Sequence, residues 1–175
     1  MTDLVFVDTN VLVYAHDTRD PHKQRRATEW LELLWRQQSG RTSVQVLNEY
    51  YVTATRKLKP GMPEALVWTR MAALESWQPQ PTDVALMQRA RAIAEAAPLS
   101  WWDALVVAGA QLQGCTMLLS EDFSHRARYG SVRVHNPFID EIQDSEGPVY
   151  ATPSVERRHP ARGRPRREQT ASPVD

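Results

Sequence analysis

Four acidic side chains stand beside apolar stretches in four separate segments of the chain: Asp8, Glu49, Asp103 and Asp122. A bare carboxylate is costly to remove from water, so a fold that gathered these groups would create a strongly negative pocket. Such a pocket is tolerable only with protons or cations, and carboxylate oxygens suit Mg²⁺ or Mn²⁺. A metal ion of this kind lowers the pKa of bound water and neutralises charge on phosphoryl oxygens. The chemistry that these residue types would serve is therefore hydrolysis of a phosphodiester.

Each acid also has a purely local interpretation. Asp8 and Asp103 could cap the helices that they precede or begin, and Asp122 could form a turn. Glu49 could lie on a solvated helix face. Because the four acids are far apart in sequence, spacing alone does not prove that they converge. An acidic metal pocket at the edge of a sheet is a hypothesis at this point.

Alternating strand and helix patterns predict the class of fold. Apolar runs at residues 4–7, 116–119 and 131–135 predict buried strands. The predicted helices span residues 10–15, 23–38, 44–57, 63–74, 83–96 and 102–113. Strands that alternate with helices predict an α/β fold with a parallel sheet covered on both faces, in which sites form beyond the carboxyl ends of the strands. Asp8 and residues 120–122 each follow a predicted strand, which places them at that edge.

Composition narrows the class of protein. The chain has 175 residues, of which 42% are apolar and 24% charged, as in an ordinary globular domain with a core of its own. Its net charge is zero, so any contact with nucleic acid would depend on local patches rather than on a global basic field. The single Cys115 rules out an internal disulfide. The first residues lack the pattern of a signal peptide and no stretch has the length of a membrane helix, so we expect a cytoplasmic location.

The regular pattern ends near Gln143, which predicts a domain over residues 1–143 and a tail over residues 144–175. The tail contains five prolines, six arginines and few large apolar groups, a composition that predicts flexibility. Its basic part runs from Arg157 to Arg167. A solvated end and an arm that contacts RNA or a partner are both open interpretations.

The ordered set of motifs resembles the PIN domain and, within it, the VapC-like toxins of toxin–antitoxin pairs. The matching segments are Val7-Asp8-Thr9-Asn10-Val11-Leu12, Ser43-Val44-Gln45-Val46-Leu47-Asn48-Glu49, Trp102-Asp103-Ala104-Leu105-Val106, Leu118-Leu119-Ser120-Glu121-Asp122 and Asn136-Pro137-Phe138. Any one segment is weak, whereas all five in this order are specific. The likeness covers residues 1 to about 140 and leaves the tail outside.

The resemblance implies a Rossmann-like three-layer α/β/α sandwich with a central parallel sheet, and cleavage of RNA with Mg²⁺ or Mn²⁺. It implies a small antitoxin as partner and a homodimer as the assembly. By matching position, the acids of the metal site are Asp8, Glu49, Asp103 and Asp122, with Asp8 and Asp103 as direct ligands. Ser120 is implied to be an accessory hydroxyl and Asn10 a polar helper.

Two rival functions are open. The first is a catalytically idle PIN-fold module that binds RNA or protein, although a complete set of acids disfavours it. The second is a phosphotransfer enzyme or receiver that forms an aspartyl phosphate. Asn10 disfavours the second, because a haloacid-dehalogenase-like motif requires another aspartate two residues after the first.

Overall fold

The computed structural model describes residues 3–139 and 146–155. Its strands are β1 (Val5–Val7), β2 (Gly40–Arg41), β3 (Met117–Leu119), β4 (Arg128–Tyr129), β5 (Val132–His135) and β6 (Val149–Tyr150). Its α-helices are α1 (Thr9–Tyr14), α2 (Pro21–Gln37), α3 (Val44–Val52), α4 (Glu64–Leu74), α5 (Val84–Ala96) and α6 (Trp101–Leu112). The predicted α/β class is confirmed.

One sheet with the strand order β2-β1-β3-β5-β4-β6 forms the centre of the fold. The strands β2, β1, β3 and β5 are parallel, whereas β4 pairs antiparallel with β5. In the central register Val7 lies opposite Leu119, and Leu119 lies opposite His135. The sheet is therefore mostly parallel, with one antiparallel pairing that the strand pattern did not predict.

The core explains why the short central strands carry apolar runs. Phe6, Leu118 and Leu119 are fully buried, which is typical of strands covered on both faces. Helix α6 is the most deeply buried helix and contacts β1, β3 and β5 as well as α5. This packing brings the N-terminus of α6 towards the edge where β1 and β3 end.

Two helices differ from their predicted extents. The predicted helix over residues 44–57 is α-helical only to Val52, and a π-helical turn follows at Thr53–Lys57. A 3₁₀ turn at Glu75–Trp77 extends α4. Sequence periodicity does not distinguish one turn of π-helix from α-helix, since both present similar side chains over so short a length. No helix in the described part of the chain is long and apolar enough to cross a membrane.

The domain boundary near Gln143 stays a prediction, but the segment after it contains a short strand, β6, which pairs in parallel with β4. The ring of Tyr150 stacks on Tyr129 with centroids 5.2 Å apart and an interplanar angle of 7°. The amide of Gln111 donates hydrogen bonds to the Tyr129 carbonyl (2.8 Å) and to the Thr152 hydroxyl (2.9 Å). These contacts hold a segment that is too poor in apolar residues to form a core of its own. The basic segment from Arg157 to Arg167 lies outside the described residues.

Candidate functional site

The two central strands deliver the first two site residues to one edge of the sheet. Asp8 follows β1 directly and Ser120 follows β3 directly, and the last residues of these parallel strands lie opposite each other. The backbone N–H of Asp8 donates to the Leu119 carbonyl at 3.1 Å, which continues the ladder to the edge. The predicted location of these residues beyond the carboxyl ends of the strands is therefore observed.

Three donors converge on the carboxylate of Asp8. The backbone N–H of Thr9 donates to Oδ1 at 2.7 Å, so Asp8 caps α1. The Ser120 hydroxyl donates to Oδ2 at 2.6 Å, and the Asn10 amide lies 3.2 Å from the same oxygen. The interpretation of Asp8 as a helix cap is therefore correct. The same carboxylate also connects the ends of β1 and β3 through its bond with Ser120.

The side chain of Asn10 connects Asp8 to the segment after β3. Its Nδ2 lies 3.0 Å from Asp122 Oδ2 and 3.0 Å from Ser120 Oγ, while its Oδ1 accepts a weak bond from the backbone N–H of Glu121 at 3.4 Å. The backbone N–H of Asp122 donates to Ser120 Oγ at 3.1 Å. Asn10 and Ser120 therefore fix the turn that carries Asp122 next to Asp8.

Glu49 reaches the same network from α3. The Thr9 hydroxyl donates to Glu49 Oε2 at 3.1 Å, and Gln45, one helical turn earlier, donates to Glu49 Oε1 at 3.1 Å. Ser43 caps α3 by accepting from the backbone N–H of Val46 at 3.2 Å, which sets where the helix begins. Glu49 therefore lies on the Asp8 side of the sheet, joined to it through a single residue.

Asp103 stands on the first turn of α6 and is half-buried. Its carboxylate accepts from the Ser100 hydroxyl at 2.7 Å, and its backbone N–H donates to the same hydroxyl at 3.2 Å. The connection to the other acids is indirect, because Gln45 Nε2 lies 3.4 Å from the carbonyl of Trp102 as well as close to Glu49. The described hydrogen bonds thus unite Asp8, Asn10, Glu49, Ser120 and Asp122, with Asp103 adjoining.

Burial and neighbouring charge shift the pKa of Asp8. Desolvation is the main cause that raises its pKa from 3.8 to about 6. The hydrogen bonds from Ser120 and Thr9 oppose this rise, and the charges of Asp122 and Glu49 add to it. The negative charges of Asp122 and Glu49 therefore disfavour ionisation of Asp8, whereas a cation beside Asp8 would favour its ionised form.

The PIN domain family matches residues 5–130 of the sequence. The chain belongs to the PIN domain family. The match covers most of the chain and includes Asp8, Glu49, Asp103 and Asp122. The resemblance drawn from the sequence motifs is therefore confirmed, while the comparison with curated proteins gave no significant match.

Solved structures show the same fold as this PIN domain. A toxin–antitoxin complex from Klebsiella pneumoniae has 21% identity and a TM-score of 0.55, and the alignment covers 77% of this chain and 98% of that one. Mycobacterium tuberculosis VapC20, a sarcin–ricin loop cleaving toxin, has 20% identity and a TM-score of 0.50 over 65% of this chain and 86% of its own. VapBC2 from Rickettsia felis, bound to a DNA fragment from its promoter, has 14% identity and a TM-score of 0.50 over 76% and 98%. At these identities the likeness concerns the fold.

The donor set of this PIN domain fits a hard divalent cation in chemical type. The converging groups are carboxylate and hydroxyl oxygens, and Mg²⁺ keeps several waters and needs only one or two carboxylates. Within the described ranges 3–139 and 146–155, no three His, Cys, Asp or Glu side chains come close enough together to hold a metal ion. The carboxylates are instead occupied by neutral donors, as Asp103 is by Ser100. The assignment of Asp8 and Asp103 as metal ligands stays a prediction.

Two polar residues that organise the site were not singled out from the sequence. Gln45 stands four residues before Glu49 on one face of α3, a spacing that brings two helical side chains into contact. Ser100 and Asp103 have the spacing of a helix-capping box, which predicts the bonds now seen at the start of α6. Both spacings are visible in the sequence, but taken alone each indicates only stabilisation of a helix. Only the fold shows that they position acids of the site.

Proposed function

We propose that this PIN domain is a metal-dependent endoribonuclease and the toxin of a toxin–antitoxin pair. One observation carries the proposal: a buried carboxylate, Asp8, shares a hydrogen-bonded network with Asp122 and Glu49 beyond the carboxyl ends of two parallel strands. Each carboxylate there is bonded to neutral donors, which satisfy oxygen lone pairs but leave the negative charge in place. Such a site can attract a divalent cation and, through it, a phosphodiester.

The residues of the chain would divide the work as follows. Asp8 and Asp103 would hold the cation, which when bound supplies charge neutralisation and a water of lowered pKa. Ser120, Asn10 and the backbone of Thr9 keep the Asp8 carboxylate in one orientation through bonds of 2.6–3.2 Å. Asp122 and Glu49 would orient water molecules around the reacting phosphate. The Thr9 hydroxyl keeps Glu49 turned towards this edge.

An idle PIN-fold module that binds RNA or protein is the second candidate. One observation favours it: among the residues that the structure describes, the Asp103 carboxylate is engaged by Ser100 and shares no hydrogen bond with the Asp8 network. A nuclease would require Asp103 to exchange this bond for the cation, which demands only rotation of the Ser100 and Asp103 side chains at the start of α6. Measurement of cleavage distinguishes the two candidates directly.

A toxin of this kind must be restrained in the cell. We therefore propose a small antitoxin that inserts a basic side chain near Asp8 and Asp103, since the planar fork of arginine can pair with carboxylates through two bonds. A homodimer, which family resemblance implies, and a cytoplasmic location belong to the same proposal. Analytical ultracentrifugation of the purified chain, alone and with the product of an adjacent small reading frame, tests both the dimer and the partner.

The decisive experiment for the enzyme is cleavage of single-stranded and looped RNA by the full chain in Mg²⁺, in Mn²⁺ and in excess EDTA. The Asp8→Asn variant keeps the shape of the side chain and removes its charge. We expect it to lower the cleavage rate at least roughly 100-fold, which corresponds to about 2.7 kcal/mol of barrier. Asp83→Asn is the matched control, because Asp83 is an exposed aspartate that likewise caps a helix, α5.

Equal cleavage by wild type in EDTA and in Mg²⁺ would overturn the metal-dependent mechanism. Equal cleavage by the Asp8→Asn variant would show that the activity comes from another site or a contaminant. Absence of cleavage by wild type with every RNA and cation tested, together with retained RNA binding, would favour the idle module.

A further inference from the structure

A cleft of about 630 Å³ adjoins the acidic network on the side of α3 and the start of α6. Glu49 and Gln45 line both the cleft and the network, so the two are continuous. The volume lies within the range of roughly 300–1,000 Å³ that is typical of sites for small organic groups. The cleft is therefore large enough for one nucleoside unit of a chain whose phosphate lies at the acids.

The walls of this cleft differ in chemistry. Trp102, Val52 and Leu105 form an apolar part, and the Trp102 side chain is 64% exposed although it stands directly beside the site. Asn48, Thr53 and Thr82 contribute amide and hydroxyl groups. An exposed aromatic ring and hydrogen-bonding groups in the same cleft match a nucleobase, which has apolar faces and polar edges. Stacking of a base on an exposed aromatic ring is the usual way in which proteins bind single-stranded nucleic acid.

The wall of the cleft also carries a positive charge. Lys57 lines the cleft from the π-helical turn at Thr53–Lys57, in which the backbone N–H of Leu58 donates to the Thr53 carbonyl at 3.0 Å. Turns of π-helix occur frequently at functional sites. Lys57 thus supplies a cation eight residues after Glu49, roughly 12 Å further along α3 and the turn that follows it, where a second phosphate of the same RNA strand would reach. A lysine binds phosphate without regard to sequence and sets the position of the strand.

We propose, on the basis of the ribonuclease function proposed above, that this cleft is the subsite for an unpaired base next to the scissile phosphate. Trp102 stacks on the base, and Lys57 binds the phosphate on the far side of that nucleotide. The acids at Asp8 and Asp122 then face the bond to be cleaved. Trp102 is in this account a residue that determines which nucleotide enters, rather than a residue of the chemistry.

Binding of RNA is the appropriate test, because it does not depend on cleavage. The full chain carrying Asp8→Asn is titrated into a fluorescein-labelled single-stranded RNA of about 10 nucleotides, and anisotropy reports the Kd. Adding Trp102→Ala is expected to weaken binding roughly 10-fold to 100-fold, and adding Trp102→Phe to weaken it much less, because a ring remains for stacking. Trp68→Ala is the matched control, since Trp68 on α4 is equally exposed at 64% and does not line the cleft. Thermal unfolding verifies that each variant is folded.

A series of RNAs with one abasic position each locates the base that stacks. For the Asp8→Asn chain, we expect the loss of one particular base to raise the Kd. In the Asp8→Asn, Trp102→Ala chain, loss of that same base should no longer raise the Kd. Lys57→Gln should reduce the salt dependence of log Kd by about 0.7, the value for one phosphate contact to a single strand. Arg56→Gln, a change on the same turn at a residue that does not line the cleft, should leave the slope unchanged.

Unchanged RNA affinity in Trp102→Ala would overturn the subsite. If that variant instead lost association with the candidate antitoxin, the cleft would be a protein-docking surface and the RNA proposal would be wrong. Binding of RNA that depends on Trp102, in a wild-type chain that cleaves no RNA, would support the subsite and contradict the nuclease. Cleavage by wild type with no dependence of affinity on Trp102 would support the nuclease and contradict the subsite.

Discussion

Replacing Asp8 should stabilise the metal-free protein at neutral pH, although it removes the central group of the proposed site. The carboxylate is buried, and its pKa is raised from 3.8 to about 6. This difference corresponds to about 3 kcal/mol of folding free energy between the fully protonated and fully ionised states. Because the folded protein binds this proton more tightly than the unfolded chain, the contribution is fully present below about pH 4. It is lost as the pH rises through about 6.

The Asp8→Asn variant has no carboxylate to ionise, so it does not lose this folding free energy as the pH rises. The substitution does, however, alter the hydrogen bonds. The asparagine oxygen can still accept from the backbone N–H of Thr9 and cap α1. Its amide group would then face Asn10 Nδ2, which is itself a donor, so the bond to Asn10 is lost at a cost of about 1 kcal/mol. The Ser120 hydroxyl already accepts from the Asn10 amide and from the backbone N–H of Asp122, so it cannot also accept fully from the new amide, which adds up to about 1 kcal/mol. The net expectation is a variant about 1–2 kcal/mol more stable than wild type at pH 8 and slightly less stable at pH 4.5.

Urea unfolding from pH 4.5 to pH 8.5, in EDTA, measures this difference. The predicted gain at pH 8 corresponds to a rise in Tm of roughly 2–8 °C for a chain of this size. Asp83→Asn is the control and should show no pH-dependent difference. In urea unfolding without EDTA, Mg²⁺ or Mn²⁺ should stabilise wild type at pH 8 and not the variant, because a ligand stabilises only the form that binds it.

One outcome would refute this reasoning about Asp8. If the variant were no more stable than wild type at pH 8, and the difference did not change with pH, the carboxylate would not be held in an unfavourable ionised state. The inference that the site requires a cation would then lose its energetic basis. Failure of the metal alone to stabilise wild type, with the pH dependence intact, would contradict only the assignment of Asp8 as a metal ligand.

Two further predictions concern the surroundings of the site. Ser120→Ala removes a buried hydroxyl whose hydrogen bond lowers the pKa of Asp8, so the pKa of Asp8 should rise above about 6 in this variant. The free energy of unfolding should fall by about 1–3 kcal/mol. Carboxyl carbon NMR shifts measure the pKa, and an unchanged value would contradict the assigned bond. Truncation after Val155 should leave the Tm unchanged, whereas truncation after Gln143 should lower it, because only the shorter chain loses the stacking of Tyr150 on Tyr129 and the pairing of β6. Comparing cleavage rates of the full chain and the Val155 truncation at several salt concentrations then tests the basic segment alone. Faster cleavage by the truncated chain, with the gap closing as salt rises, indicates self-inhibition; slower cleavage indicates an RNA-binding arm; equal rates remove both roles.

The central strands and the edge at which Asp8 and Ser120 lie could be predicted from the sequence, since buried parallel strands leave continuous apolar runs. The short strands β2, β4 and β6 could not, because two-residue pairings depend on backbone contacts that no side-chain pattern records. The order of the four acids along the sequence likewise does not predict which residues connect them. Asn10 and Thr9 join carboxylates from segments more than 35 residues apart in sequence, as the hydrogen bonds to Asp122 and Glu49 show. Such bridges are visible only in the fold.

Within the described ranges 3–139 and 146–155, no ion pair compensates the charge of the four site acids. Among the described residues, the ion pairs join arginine or lysine to Asp17, Glu29, Glu95 and Glu121, and none of them reaches the four acids of the site. Lys23 contacts the turn after β3, but it pairs with Glu121 there and not with the adjacent Asp122. An RNA phosphate would be repelled by this arrangement, because like charges at close range in a partly buried site are poorly screened. A divalent cation reverses that repulsion, and an arginine from a partner would do so as well. The same uncompensated charge therefore explains why substrate and restraint would compete for one place.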